Sequence, residues 1–128
     1  MRYMMIGLWF PSIVTAFDDP RINDIRRTIG RFNGEILTDR DGRFTGSVTD
    51  ENGEARIVGA MVSGQWRSMV FEKTYLNPPA WAAKGPITYA LVNDSMGGWY
   101  GTWSAINGET KEIYGGKAIC VLISQPPA

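Results

Sequence analysis

Lys73 is the residue whose type and position most invite chemistry. It sits in the run Met69-Val-Phe71-Glu-Lys73-Thr-Tyr75, where its alternate neighbours are apolar or aromatic. Alternate residues of a β-strand share a face. The spacing therefore puts a primary amine on a face meant for burial. An unpartnered ammonium is costly there. It must reach the rim, pair with a carboxylate, or meet an anionic ligand. Tyr75 and Tyr89 bring hydroxyls to the same face, either as core aromatics with backbone partners or as contacts for the polar end of a guest.

Other reactive types offer less. The chain has no histidine, which removes His-based triads, most zinc sites and the usual general base. Cys120 lies in Ala118-Ile119-Cys120-Val121-Leu122 with no charged neighbour to lower its pKa, so it reads as a small core residue rather than a nucleophile. Asp39-Arg40-Asp41-Gly42 is like the opening of a calcium loop. With Asp39 in first place, however, Glu51 falls one residue late for the closing ligand, and two turn aspartates are the better account. Asp18, Asp19 and Asp24 include a carboxylate pair, but capping and solvation explain them more simply than acid–base work. There is no GxGxxG and no P-loop. The expectation is a protein that is not an enzyme and needs no cofactor or metal. Asn93-Asp94-Ser95 matches a glycosylation sequon, which matters only in an exported protein.

These residues must be positioned by a small domain. The chain has 128 residues, 44% apolar and 20% charged, with 15 glycines. That suffices for a single domain, residues 1–128, with a core that needs no disulfide. Net charge is zero, and the one basic cluster, Arg26-Arg27 with Arg31, reads as a solvated face. No nucleic-acid partner is expected. No membrane partner is expected either, because no basic amphipathic stretch occurs and no window nears the roughly 20 apolar residues of a spanning helix. One cysteine permits no internal disulfide, and cytoplasmic residence is the simpler reading. Met4 to Phe17, with Arg2 before it, is apolar like a signal core, but Pro11 interrupts it and a first strand is favoured.

Tyr3–Phe10 reads as a buried strand ended by Pro11. Asp19 can cap and Pro20 suits a first helical position, while Ile22, Ile25 and Ile29 share a helical face. One short helix is expected at about 20–29. From Arg31 the period changes. Gly42, Gly53 and Gly64 fall eleven residues apart, each in a turn: Asp41-Gly42, Asn52-Gly53 and Ser63-Gly64. Such pairs suggest type I′ hairpins. The implied strands are Phe32–Leu37, Arg43–Thr49, Glu54–Val62, Trp66–Tyr75, Ile87–Val92, Trp99–Ser104 and Glu112–Ile123. Gly115-Gly116 is expected to bulge or bend the last strand. The fold class is all-β: an eight-stranded antiparallel up-and-down (meander) barrel with one short helix between strands 1 and 2. A two-sheet sandwich is the alternative.

Alternation places Phe44, Gly46 and Val48 inward, then Ala55, Ile57, Gly59 and Met61. Met69, Phe71, Lys73 and Tyr75 follow, then Ile87, Tyr89 and Leu91, then Trp99, Gly101 and Trp103. A cavity lined by Phe44, Ile57, Met61, Met69, Phe71, Tyr89, Leu91, Trp99 and Trp103 would take a small apolar or amphipathic ligand, with Lys73 and Tyr75 orienting its polar end. The other reading is a protein–protein interaction or self-associating module with a barrel filled by side chains and no small-molecule site. Trp66, Trp81, Pro78-Pro79 and the last strand, apolar on both faces from Ala118 to Ile123, would then form its surface and make a homodimer.

The run Gly42-Arg-Phe44-Thr-Gly46, Ala55-Arg-Ile57-Val-Gly59, Phe71-Glu-Lys73-Thr-Tyr75, Ile87-Thr-Tyr89 and Gly98-Trp-Tyr-Gly101-Thr-Trp103 resembles calycin-like small β-barrels, the group of lipocalins, fatty-acid-binding proteins and avidins. It is similar above all to uncharacterised bacterial barrels and to the barrel domain of F-box substrate-recruiting proteins. The resemblance covers about residues 31–104. It implies an eight-stranded barrel and binding rather than catalysis. The lipocalin Gly-x-Trp has a counterpart in Gly7-Leu8-Trp9, but lipocalin disulfides are absent and Pro20 to Ile29 departs from the avidin pattern. No biotin, retinoid or fatty-acid specificity is carried over.

Overall fold

The computed structural model describes residues 1–11, 30–62, 67–78, 85–93, 97–106, 111 and 113–126. Eight strands follow in order: β1 (Arg2–Pro11), β2 (Gly30–Thr38), β3 (Arg43–Asp50), β4 (Gly53–Val62), β5 (Ser68–Tyr75), β6 (Ile87–Asn93), β7 (Gly98–Ile106) and β8 (Ile113–Ser124). Each pairs antiparallel with its neighbour in sequence, and β1 pairs β8 from Tyr3↔Ser124 to Pro11↔Gly116. The meander therefore closes on itself, and no sheet edge is left open. The helix expected at about 20–29 lies outside the described residues. So do Asp18, Asp19 and Asp24, the turn at Ser63-Gly64, and Trp66, Pro79 and Trp81.

Two local expectations are corrected. The hairpins at Gly42 and Gly53 are not type I′, which needs two successive residues with positive φ. Only the glycines adopt it, at 84° for Gly42 and 114° for Gly53, and Lys111 is the sole described non-glycine with positive φ. In each hairpin an aspartate stabilises a turn that precedes a left-handed glycine. Asp39 Oδ1 accepts hydrogen bonds from the backbone N–H of Asp41 at 2.9 Å and of Arg43 at 3.0 Å. The Asn52 N–H donates to Asp50 Oδ1 at 2.7 Å. Such local bonds favour an ordinary turn, with the glycine completing the reversal. Gly115-Gly116 does not bulge: β8 stays in continuous register with β7 through Ser104↔Gly115 and Trp103↔Gly116. Glycine serves close approach instead, since a Cβ on Gly115 would lie 2.2 Å from the Trp103 carbonyl oxygen.

Alternation sorts the faces as expected. Phe44, Val48, Ala55, Ile57, Met61, Met69, Phe71, Ile87, Tyr89, Leu91, Trp99 and Trp103 are all buried. Met5, Phe32, Ile36, Ala118 and Cys120 join them from β1, β2 and β8. Large rings fit because glycines face them. A Cβ on Gly7 would come within 2.2 Å of the Phe32 ring, and one on Gly59 within 2.4 Å of Phe71. The exterior of β3 and β4 carries Arg43, Thr45, Ser47, Glu54 and Arg56, together with the exposed Val58. Among the described residues no helix is long and apolar enough to cross a membrane.

Candidate functional site

Lys73 resolves into one of its three options: it pairs. Its Nζ lies 2.8 Å from Asp50 Oδ2, with the two side chains 2% and 0% exposed. Tyr75 donates its hydroxyl to the same Asp50 oxygen, and Asn52 Nδ2 donates to the Tyr75 hydroxyl at 3.4 Å. Three rings surround the ammonium: Tyr75 at 5.0 Å, Tyr89 at 5.4 Å and Phe32 at 5.5 Å. Desolvation of this kind strengthens cation–π attraction. The β3–β4 turn makes the cluster possible, because it ends β3 with Asp50 turned inward. Burial pushes the Tyr75 hydroxyl up to about 12; the Lys73 charge opposes that rise and the bond to Asp50 adds to it. Burial, with the Asp50 charge, raises Tyr89 as well.

The eleven residues expected around a cavity are brought together on the inner face: Phe44, Ile57, Met61, Met69, Phe71, Lys73, Tyr75, Tyr89, Leu91, Trp99 and Trp103. What they meet is one another. Phe71 and Tyr89 stack at 4.6 Å and 7°, and Phe44 meets Phe71 edge-on at 6.1 Å. Phe32 meets Tyr89 edge-on at 5.8 Å. Trp103 crosses Trp9 at 5.5 Å and donates from Nε1 to the Phe10 carbonyl at 3.0 Å. Cys120 is buried among these, and burial pushes its thiol up to about 12, away from the reactive thiolate. Among the described residues no group of three acidic, cysteine or histidine side chains could hold a metal.

Asp50 was missed by the reading of the sequence. The signal was present: it continues the inward parity of Phe44, Gly46 and Val48, but its place beside the turn hid it. Phe32 was missed in the same way, two residues inside the start of β2.

An opening lies on the other side of the wall. A groove of about 710 Å³ runs over the outside of β2, β1, β8 and β7. The register resolves its lining into rows across the four strands. One outward row is Arg31, Leu8, Ile119 and Tyr100; the other is Asn33, Ile6, Val121 and Gly98. Between them runs the inward-facing row of Phe32, Gly7, Cys120 and Trp99. Each outward row thus begins with a polar residue on β2 and continues over apolar residues of β1 and β8. Glu51 accepts from the Arg31 backbone N–H at 2.8 Å. Among the described residues the Arg31 guanidinium makes no ion pair.

Comparison with protein-family models, with curated proteins and with solved structures finds no match to this chain. The closed eight-stranded barrel therefore rests on its own strand pairing, and functional reasoning on the site geometry.

Proposed function

We propose that this chain is a small calycin-like binding module, cytoplasmic and non-catalytic, whose working surface is the outside of its barrel wall. The observation that carries this reading is the contrast between the two faces of β1 and β8. Inside, rings contact rings, and the Lys73 charge is answered by Asp50. Outside, Met4, Ile6, Ile119, Val121 and Ile123 remain exposed around a groove. Contiguous exposed apolar surface of this kind marks a binding site. The lone buried thiol of Cys120 suits a reducing compartment.

Nile red, an uncharged dye that brightens in apolar surroundings, tests the reading. The wild-type protein should bind it, and the double variant Ile6→Ser with Val121→Ser should not, at unchanged thermal stability. Equal dye binding by both proteins would return the argument to the lumen.

The extent of the apolar face supports a second reading. It continues past the groove through Tyr100 and Val92 to Val70, a width that suits a second copy of the chain. Sedimentation at rising concentration should then show a dimer dispersed by Val121→Glu; a strict monomer would remove this version.

A further inference from the structure

We infer that the outer groove takes a single-chain amphipathic carboxylate, with its head at Arg31 and Asn33 and its apolar body laid across β1 and β8 toward β7. The inference rests on the reading that the outer wall binds, and it names the ligand class.

Three observations carry it. The first is polarity along the rows. Arg31 is beside Leu8, which is beside Ile119, which is beside Tyr100, so charge sits at one end and apolar surface follows. The second is the state of the charge. Lys73 and Arg2 have carboxylate partners at 2.8 and 3.3 Å, whereas the Arg31 guanidinium makes no ion pair among the described residues. A guanidinium matches a carboxylate bidentately, and the Asn33 amide one row away supplies a further donor. The third is size. Neighbouring strands lie about 4.8 Å apart, so four strands span roughly 14 Å, the reach of one extended chain rather than of a folded partner. The groove, at about 710 Å³, also falls within the usual range for small ligands.

Dodecanoate, below its micelle concentration, is the probe, with dodecanol as its uncharged counterpart. Titration calorimetry should show dodecanoate binding at least about tenfold more tightly than dodecanol, the order of a charge-assisted hydrogen bond. Arg31→Gln should remove that preference and leave dodecanol binding unchanged. Asn33→Asp, which sets a like charge beside the head, should weaken dodecanoate further. Amide shifts on titration should map to Ile6, Leu8, Ile119 and Val121.

Equal affinity for the two probes, or a preference that survives Arg31→Gln, overturns the inference. Binding only to vesicles of anionic lipid, with none to free dodecanoate, overturns it as well. If Nile red still binds in a serine-sensitive way, such a failure leaves the outer-wall reading standing. If neither dye nor dodecanoate binds, both fall.

Discussion

Two ion pairs join the same kinds of charge in this barrel and do different work. Lys73–Asp50 lies inside at 2.8 Å, almost wholly removed from solvent, and Arg2–Glu35 lies outside at 3.3 Å with side chains 37% and 59% exposed. Water screens the outer pair and offers each of its members an alternative. The inner pair has no such alternative. Asp50 collects Lys73, the Tyr75 hydroxyl and the Asn52 N–H, so three residues from β5 and the turn between β3 and β4 depend on one carboxylate of β3. The difference teaches that a charge's role here is set by the side of the wall it faces, and one step in strand register changes that side.

The contrast can be broken most forcefully at Asp50. Asp50→Ala leaves an ammonium buried among three rings, and should cost about 3–5 kcal/mol in urea unfolding. Replacing both partners, Lys73→Met with Asp50→Asn, should recover most of that loss, because a buried pair exchanged for neutral groups of similar size is often near neutral. A double variant as unstable as Asp50→Ala would mean that the pair holds the fold by more than mutual neutralisation.

Alkaline pH sharpens the comparison at intermediate size. Tyr75 is raised from 10.0 to about 12 and Cys120 from 9.0 to about 12, both mainly by burial. A raised folded pKa means that the unfolded chain releases its proton first. The stability these groups contribute is therefore complete below about pH 9 and is lost as pH climbs to about 12. The melting temperature should fall across that window, and Tyr75→Phe with Cys120→Ala should flatten the fall. A melting temperature level to pH 12 in the wild type would contradict the burial of these groups.

The smallest effect belongs to the outer pair. Glu35→Gln should change stability by no more than about 1 kcal/mol, and added salt should shrink even that. A larger, salt-resistant loss would erase the distinction between inside and outside.

Much of this was legible beforehand because the signals were local. Asp-Gly and Asn-Gly mark reversals wherever they sit, and the period-two pattern of Phe44-Thr-Gly46-Ser-Val48 or Met69-Val-Phe71-Glu-Lys73 assigns faces without knowledge of the neighbours. The turn type was misread because the Asp39 and Asp50 carboxylates bond to nearby N–H groups and stabilise a different turn from the one their dipeptides suggest. Gly115-Gly116 was misread because a glycine pair has the same composition whether it bulges or lets a ring's strand come close.

The sequence by itself determined eight strands, their order and most of the inner faces of β3 to β7, since hydrophobic alternation and turn chemistry act over a few residues. The tertiary structure decided that Lys73 meets Asp50, 23 residues away, that β1 closes on β8, and that Arg31 stands at the head of an apolar row. Those are properties of strand register, which depends on how every neighbouring pair of strands packs at once.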